Sequence, residues 1–265
     1  MLAAQRQALI LEEVNRLGAV RVGELAESLH VSDMTVRRDL DALAEAGLVA
    51  KVHGGATSVA SGSAAEPAFS TKATRERAAK QAIAAEASRL VEPGMAIAVS
   101  AGTTTHALAG LLADVRGLTV VTNSLPVAEV LHAEGRQDQT VILTGGVRTP
   151  SDALVGPVAV EAIRRLHVDL VFMGIHGMDE RAGFTSPNLM EAETNRALVD
   201  AARRLVILTD HTKWGVVGLS AIARLDEAAA LITDTSIAPD AESVLRDHID
   251  EVVCVDAGES RREAG

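Results

Sequence analysis

Two groups of residues in this sequence have the types and spacing to recognise phosphate, and they lie far apart in the chain. The first is Ser32, Met34, Thr35, Arg37 and Arg38. Arginine takes a guanine edge bidentately or clamps a backbone phosphate, and threonine can meet a base edge, a thymine methyl or a phosphate oxygen. Lys51 and His53 follow as candidates for backbone contact. The second group collects at Ser100-Ala-Gly-Thr-Thr-Thr105, at Thr122-Asn123-Ser124 and at Thr144-Gly145-Gly146, with Arg148 close behind as an anion partner. Gly102 permits close backbone approach, Thr103, Thr104 and Thr105 bring hydroxyls, and a helix starting near His106 would aim free N–H groups at an anion. His176, Asp179, Glu193 and Lys213 are further candidates for sugar hydroxyls or phosphate. Glu191 reads as ordinary capping or surface pairing.

Such residues need elements that hold them. In the first fifty residues the helical period occurs three times, at Ile10, Leu11, Val14 and Leu17, at Val22, Leu25, Ala26 and Leu29, and at Val36, Leu40 and Leu43. Short breaks separate them, at Gly18-Ala19-Val20-Arg21 and at His30-Val31-Ser32, and Ser32 suits the N-cap of the third helix. With Val36, Leu40 and Leu43 buried, Met34 and Arg38 lie opposite and Thr35 and Arg37 on the flanks. Leu48 to Val52 reads as a strand turned at Gly54-Gly55. Three helices and a β-hairpin make a winged helix-turn-helix, whose recognition helix enters the major groove. We therefore expect a DNA-binding domain over residues 1–56, an Ala/Ser/Thr/Gly linker over 57–68, and a second domain over 69–265. In that second domain, strands at Ala96–Val99, Leu118–Val121, Val141–Leu143, Leu170–Met173, Leu205–Leu208, Leu231–Ile232 and Val252–Val255 alternate with helix-length segments. This pattern predicts a mostly parallel α/β sheet covered on both faces. Ligands in open α/β sheets gather beyond the carboxyl ends of the strands, where the Ser100, Thr122 and Thr144 turns fall.

Composition bounds the reading. The chain has 265 residues, 48% of them hydrophobic, enough for a sizeable core. No stretch has the roughly 18 apolar residues of a membrane span and the start lacks a secretory pattern, so we expect a cytoplasmic protein. The single cysteine, Cys254, sits in an apolar strand and reads as a packed thiol, and the eight histidines are scattered, so neither a metal nor another cofactor is expected. The net charge of −11, with six Lys and Arg against eight Asp and Glu in residues 1–56, excludes polyanion binding by bulk charge. DNA contact must come from placement.

The run from Leu25 through Val31-Ser-Asp-Met-Thr-Val-Arg-Arg-Asp to Leu43, continuing Ala46-Gly-Leu-Val and Val52-His-Gly-Gly-Ala56, resembles the DNA-binding domain of the DeoR family of transcriptional regulators. The second half resembles that family's sensor domain, similar in fold to ribose-5-phosphate isomerase, at Gly102-Thr-Thr-Thr105, Val121-Thr-Asn-Ser124, Gly145-Gly146, Glu191-Ala-Glu193 and Asp210-His-Thr-Lys213. The resemblance implies that the helix bearing Thr35, Arg37 and Arg38 reads double-stranded operator DNA. It also implies that Gly102, Thr103 and Thr104 hold the phosphate of a sugar or related effector, and that the chain represses a sugar-metabolism operon as a homo-oligomer, dimer or tetramer. Three departures count against enzyme activity: Ser100 stands where an aspartate is common, Gly174-Ile-His-Gly177 replaces Gly-Ala-Asp-Gly, and Asn195 replaces a frequent lysine. The competing readings are an isomerase-like enzyme with a DNA-binding appendage and a three-helix protein-interaction module.

Overall fold

The computed structural model describes residues 3–17, 19–45, 48–52, 54–58, 69, 76–133 and 136–258. The chain divides into two compact units, Met1–Gly62 and Ser63–Gly265.

In the first unit, the expected periodicities become α1 (Ala3–Leu17), α2 (Val22–Leu29) and α3 (Asp33–Glu45). Their apolar faces meet in one core of Ile10, Val14, Leu25, Val36, Leu40 and Leu43, closed by Val20, Val49 and Ala56 from the strands. The break expected at residues 18–21 contains a strand, β1 (Ala19–Arg21), which pairs antiparallel with β3 (Gly55–Ser58). β3 in turn pairs with β2 (Val49–Val52), so residues 57 and 58 belong to the sheet and not to a linker. Val22 N–H donates to the Gly54 carbonyl at 2.9 Å, fastening the hairpin turn to the start of α2.

In the second unit, α4 (Arg77–Ser88) leads into β4 (Ala96–Val99), α5 (Thr103–Leu112), β5 (Thr119–Thr122), α6 (Leu125–Ala133) and β6 (Thr140–Leu143). A hairpin of β7 (Val147–Arg148) and β8 (Leu154–Val155) precedes α7 (Pro157–Ile163) and β9 (Val168–Gly174). Then come β10 (Gly177–Asp179), β11 (Gly183–Ser186), α8 (Leu189–Ala201), β12 (Ala202–Leu208), β13 (Ser220–Ala223), β14 (Ala228–Asp234), α9 (Pro239–His248) and β15 (Glu251–Val255). The seven apolar runs read from the sequence form one parallel sheet, in the order β15-β14-β12-β9-β4-β5-β6.

Side chains of these strands alternate between two cores. Ile97, Val99, Leu170, Phe172, Val206 and Leu208 pack with α4, α5 and α6. Ala98, Val171, Met173, Leu205 and Ile207 pack with α7, α8 and α9. The result is a three-layer α/β/α unit. Its strand order reverses between β4 and β9: the chain winds outward from β4 through β5 to β6, then returns to β9 and winds the other way to β15. The sequence did not announce the antiparallel sheet β10-β11-β13, whose Met178, Phe184 and Ile222 join the core beneath α8. No helix among the described residues is long and apolar enough to cross a membrane.

Candidate nucleic-acid interface and effector site

On α3 the predicted face is present. Met34, Arg37 and Arg38 are exposed, Thr35 is half-buried, and neither arginine is ion-paired with a described residue. Ser32 caps the helix. Its Oγ accepts from Thr35 N–H at 3.3 Å and lies 2.9 Å from Thr35 Oγ1, so the two hydroxyls are arranged together at the N-terminal end. Along α3, Arg37 and Arg38 precede Asp41 and Glu45 by one to two turns and follow Asp33 in the first turn. The Lys51 side chain and His53 lie outside the described residues.

One residue of this helix escaped the sequence reading. Asp39 is almost fully buried and receives Arg6 of α1 through two guanidinium nitrogens, at 2.5 and 3.2 Å, and the Gln7 amide at 3.1 Å. The hydrogen bond to this carboxylate raises the Arg6 pKa further. The signal was available, since Asp39 falls on the apolar stripe between Val36 and Leu43, where an acid needs a partner. This three-residue link fixes α3 against α1 and so fixes the direction in which Arg37 and Arg38 point.

The second site lies where the strand order reverses, at the carboxyl ends of β4 and β9. Ser100 is fully buried; its N–H donates to the Phe172 carbonyl at 3.0 Å, and its Oγ accepts from Gly174 N–H at 3.1 Å. These bonds press the two strand ends together so closely that a Cβ on Gly102 would lie 3.7 Å from Gly174 Cα and 3.0 Å from Thr105 Oγ1. Gly102 has φ +157° and no side chain caps the helix that follows. The first bond into that helix runs from His106 N–H to the Gly102 carbonyl, so α5 begins at Thr103, three residues earlier than expected. The N–H groups of Thr103, Thr104 and Thr105 have no acceptor among the described residues. Three open donors at a helix start have the chemistry to receive an anion, and this candidate cradle is uncapped.

Around the cradle, the expected ligand residues divide by role. Thr103 is half-exposed and Thr104 nearly buried, and neither hydroxyl has a described partner; the fully buried Thr105 hydroxyl donates to the Gly102 carbonyl at 3.0 Å and holds the turn. Asn123 was expected to meet the ligand, but it is fully buried, accepting from Ala101 N–H at 2.9 Å and donating to the Leu154 carbonyl at 3.3 Å. It shapes the cradle from behind. Gly145 and Gly146 turn with φ of +73° and +123°, and a Cβ on Gly146 would strike the Val155 carbonyl oxygen at 2.5 Å. Gly146 thus serves close packing of the hairpin.

Arg148 is engaged with Asp152 at 2.6 Å on the outside of that hairpin. Asp179 Oδ1 accepts from the N–H groups of Arg181 and Ala182, at 2.9 and 3.0 Å, closing the β10–β11 turn. Glu193 lies on the outer face of α8, beside a groove of about 170 Å³ that it shares with Arg164, His167, Arg196 and Asp200, and not at the strand ends. His176 precedes β10, its N–H donating to the Thr185 carbonyl at 3.2 Å. Lys213 closes a single helical turn after β12 and forms no ion pair with a described residue. That turn is tied to β10 by Gly215 N–H donating to the Met178 carbonyl at 2.8 Å. Sequence reasoning also passed over His211, whose Nδ1 lies 2.8 Å from the buried Asp234 carboxylate at the end of β14.

Burial pushes the His106 imidazole below its ordinary pKa, against the pull of Glu129. His106 packs edge-on against Phe69 with ring centroids 5.5 Å apart. Among the described residues no group of three or more His, Cys, Asp or Glu side chains is arranged to hold a metal.

Comparison with known proteins agrees with both halves. Residues 6–62 match the DeoR-like helix-turn-helix domain, and residues 75–235 match the DeoR C-terminal sensor domain. The HTH-type transcriptional regulator GolR of Listeria innocua is 37% identical over 238 residues, 89% of this chain and 92% of that protein. The glycerol-3-phosphate regulon repressor of Escherichia coli is 32% identical over 252 residues, 94% of this chain and 97% of its own. A solved ribose-5-phosphate isomerase from Methanocaldococcus jannaschii aligns at 16% identity with a TM-score of 0.39, covering 53% of this chain and 55% of that one. With both domain patterns present, and with relatives matched along nearly their whole length, this chain belongs to the DeoR family of helix-turn-helix transcriptional regulators.

Proposed function

We propose that this regulator represses a sugar-metabolism operon by placing α3 in the major groove of its operator, and that a phosphorylated sugar at the carboxyl ends of β4 and β9 changes its DNA affinity. The observation that carries the effector half is the uncapped start of α5 at the strand reversal. There, Thr103, Thr104 and Thr105 leave three N–H donors open, and Gly102 lets the ends of β4 and β9 close against one another beside them. The Thr103 and Thr104 hydroxyls and the Lys213 ammonium are the side chains best placed by chemistry to complete an anion site. The names of relatives as repressors of the glycerol-3-phosphate regulon and of the aga operon support repression and a phosphorylated, sugar-derived signal.

On DNA, Arg37 and Arg38 supply the cationic contacts, with Ser32 and Thr35 at the leading end of the helix. The protein acts as a symmetric oligomer in the cytoplasm, presenting paired recognition helices to half-sites about 34–36 Å apart, or a multiple of that spacing. An effector coupling of about 1–3 kcal/mol suffices to switch occupancy.

Fluorescence anisotropy tests the reading. A labelled duplex from the region upstream of the gene and its neighbouring operon is titrated with protein at fixed salt, then with a panel of sugar phosphates and their unphosphorylated parents. Competitor-resistant binding that a phosphosugar alters and its parent sugar does not is the expected result. Binding no tighter than to random DNA would remove the operator assignment, and a response indifferent to the phosphate would remove the cradle.

A further inference from the structure

Large apolar side chains gather on the loops and helix starts that follow the hairpin and the small sheet. Val147, Val158, Leu189, Met190, Val217 and Leu219 are each between 42% and 66% exposed. They are neighbours in space. Val158 Cγ1 lies 3.7 Å from where a Cβ on Gly145 would stand, and Met190 Sδ lies 3.7 Å from the same point on Gly156. Gly218 is pressed against the backbone of Ser186 and Pro187, which bring Val217 and Leu219 beside the start of α8, and Val147 pairs with Val155 across the hairpin.

The same surface lacks charge. Residues 145–147, 156–160, 186–190 and 214–219 contain no Asp, Glu, Lys or Arg, in a chain that is 23% charged. Charge depletion with apolar enrichment marks the core of a protein–protein interface. We infer that this charge-free apolar surface is where a second copy of the chain docks, an inference that rests on the symmetric oligomer proposed above.

Three arguments select that occupant. Nucleic acid is held by cations, and the apolar segments of this surface carry none, with Arg148, Glu191 and Lys213 standing only at their borders. Two copies of a chain with net charge −11 repel each other, and that repulsion is least where each presents no charge. The six side chains expose on the order of 500 Å² per copy, most of the roughly 800 Å² per partner that a standard interface buries. A two-fold contact uses the same patch on both copies, so one such surface is sufficient for a closed dimer. The patch is built on the turns that carry Gly145 and Lys213, so docking and effector binding share the same loops.

Sedimentation velocity of the full-length protein over a range of concentrations tests this directly. Val158→Asp and Leu189→Asp place a carboxylate in the first turn of α7 and α8, where a helix favours one, so neither is expected to unfold its own element. Leu111→Glu, on an exposed position of α5 against the opposite face of the sheet, is the control. Expected is a wild-type dimer or larger species, at least tenfold weaker association in each Asp variant with unchanged circular dichroism and melting, and wild-type association in Leu111→Glu. Asp variants that associate like wild type would overturn the surface while leaving the oligomer intact. A wild-type chain that stays monomeric at all concentrations would overturn both.

Discussion

At the scale of single residues, the two sites make opposite demands on the same kind of ligand atom. Operator phosphates must be met by charges that stand in solvent, whereas an effector phosphate can be met by backbone N–H groups that a fold holds open. Arg38 is exposed and unpaired among the described residues, so Arg38→Ala is expected to weaken operator binding without changing the melting curve. If Arg38 takes a guanine edge, the loss is about 1–3 kcal/mol and specificity relaxes at one base pair. If it takes a phosphate, the slope of log K against log salt falls by about 0.9. Anisotropy titrations at several salt concentrations separate the two, and an unchanged affinity would remove Arg38 from the interface. Thr103 makes the complementary case. Thr103→Asp places an anion at the helix start, where the dipole favours it, and fills the cradle with the sequence's own carboxylate. The variant should fold, bind operator, and ignore sugar phosphates, read as a flat effector titration; a normal response would put the phosphate elsewhere.

At the scale of elements, the sequence was most legible where one periodicity dominated. The seven apolar runs are the seven parallel strands, because strands buried on both faces must be apolar throughout. The small antiparallel sheet was not legible. Gly177-Met-Asp179 and Gly183-Phe-Thr-Ser186 are short, rich in glycine and hydroxyls, and owe their pairing to Phe184 and Met178 reaching the core under α8. β1 was hidden for the same reason, since three residues between two helices carry too little pattern to declare a strand. Site roles followed suit: Ser100 and Asn123 have the right chemistry for a ligand, but the backbone groups that occupy them come from distant parts of the chain, while Asp179 is taken up by the N–H groups of its own turn. One tertiary link at this scale is testable by pH. Burial works to raise the Glu227 carboxyl, but the Arg224 N–H and the Arg196 guanidinium outweigh it and hold the pKa below its usual value. Its contribution is therefore complete above the ordinary carboxylate range and disappears as pH falls through the lowered value. Glu227→Gln should cost about 2–4 °C of melting temperature at pH 7, the shift expected for a screened ion pair of about 1 kcal/mol. The gap to wild type should narrow as the pH is taken below the ordinary carboxylate range, and a gap that persists in strong acid would mean the carboxylate charge is not what ties α8 to this turn.

At the scale of the whole molecule, the difficulty is that a chain with net charge −11 must hold a polyanion. Bulk attraction is unavailable, so affinity has to come from a few exposed cations oriented by a rigid mount, and from using that mount twice. The Arg6–Asp39–Gln7 link supplies the rigidity, since it joins α3 to α1 through a carboxylate that has no other way to be satisfied. In the oligomer proposed above, self-association supplies the repetition, because two correctly spaced helices bind one duplex as a single event at a high effective concentration. The face of the duplex repeats every 10–10.5 base pairs or so, which fixes how far two half-sites can be moved apart. Inserting about 5 base pairs between the half-sites of the natural operator should rotate one of them to the far side and reduce affinity toward that of a single half-site. Inserting about 10 should restore the facing and recover part of the loss. The affinities are read from anisotropy titrations at one salt concentration, together with the concentration dependence of association. If both insertions bind alike while the protein sediments as a dimer, its two recognition helices do not read one face of the DNA, and each operator half would have to be bound by an independent copy.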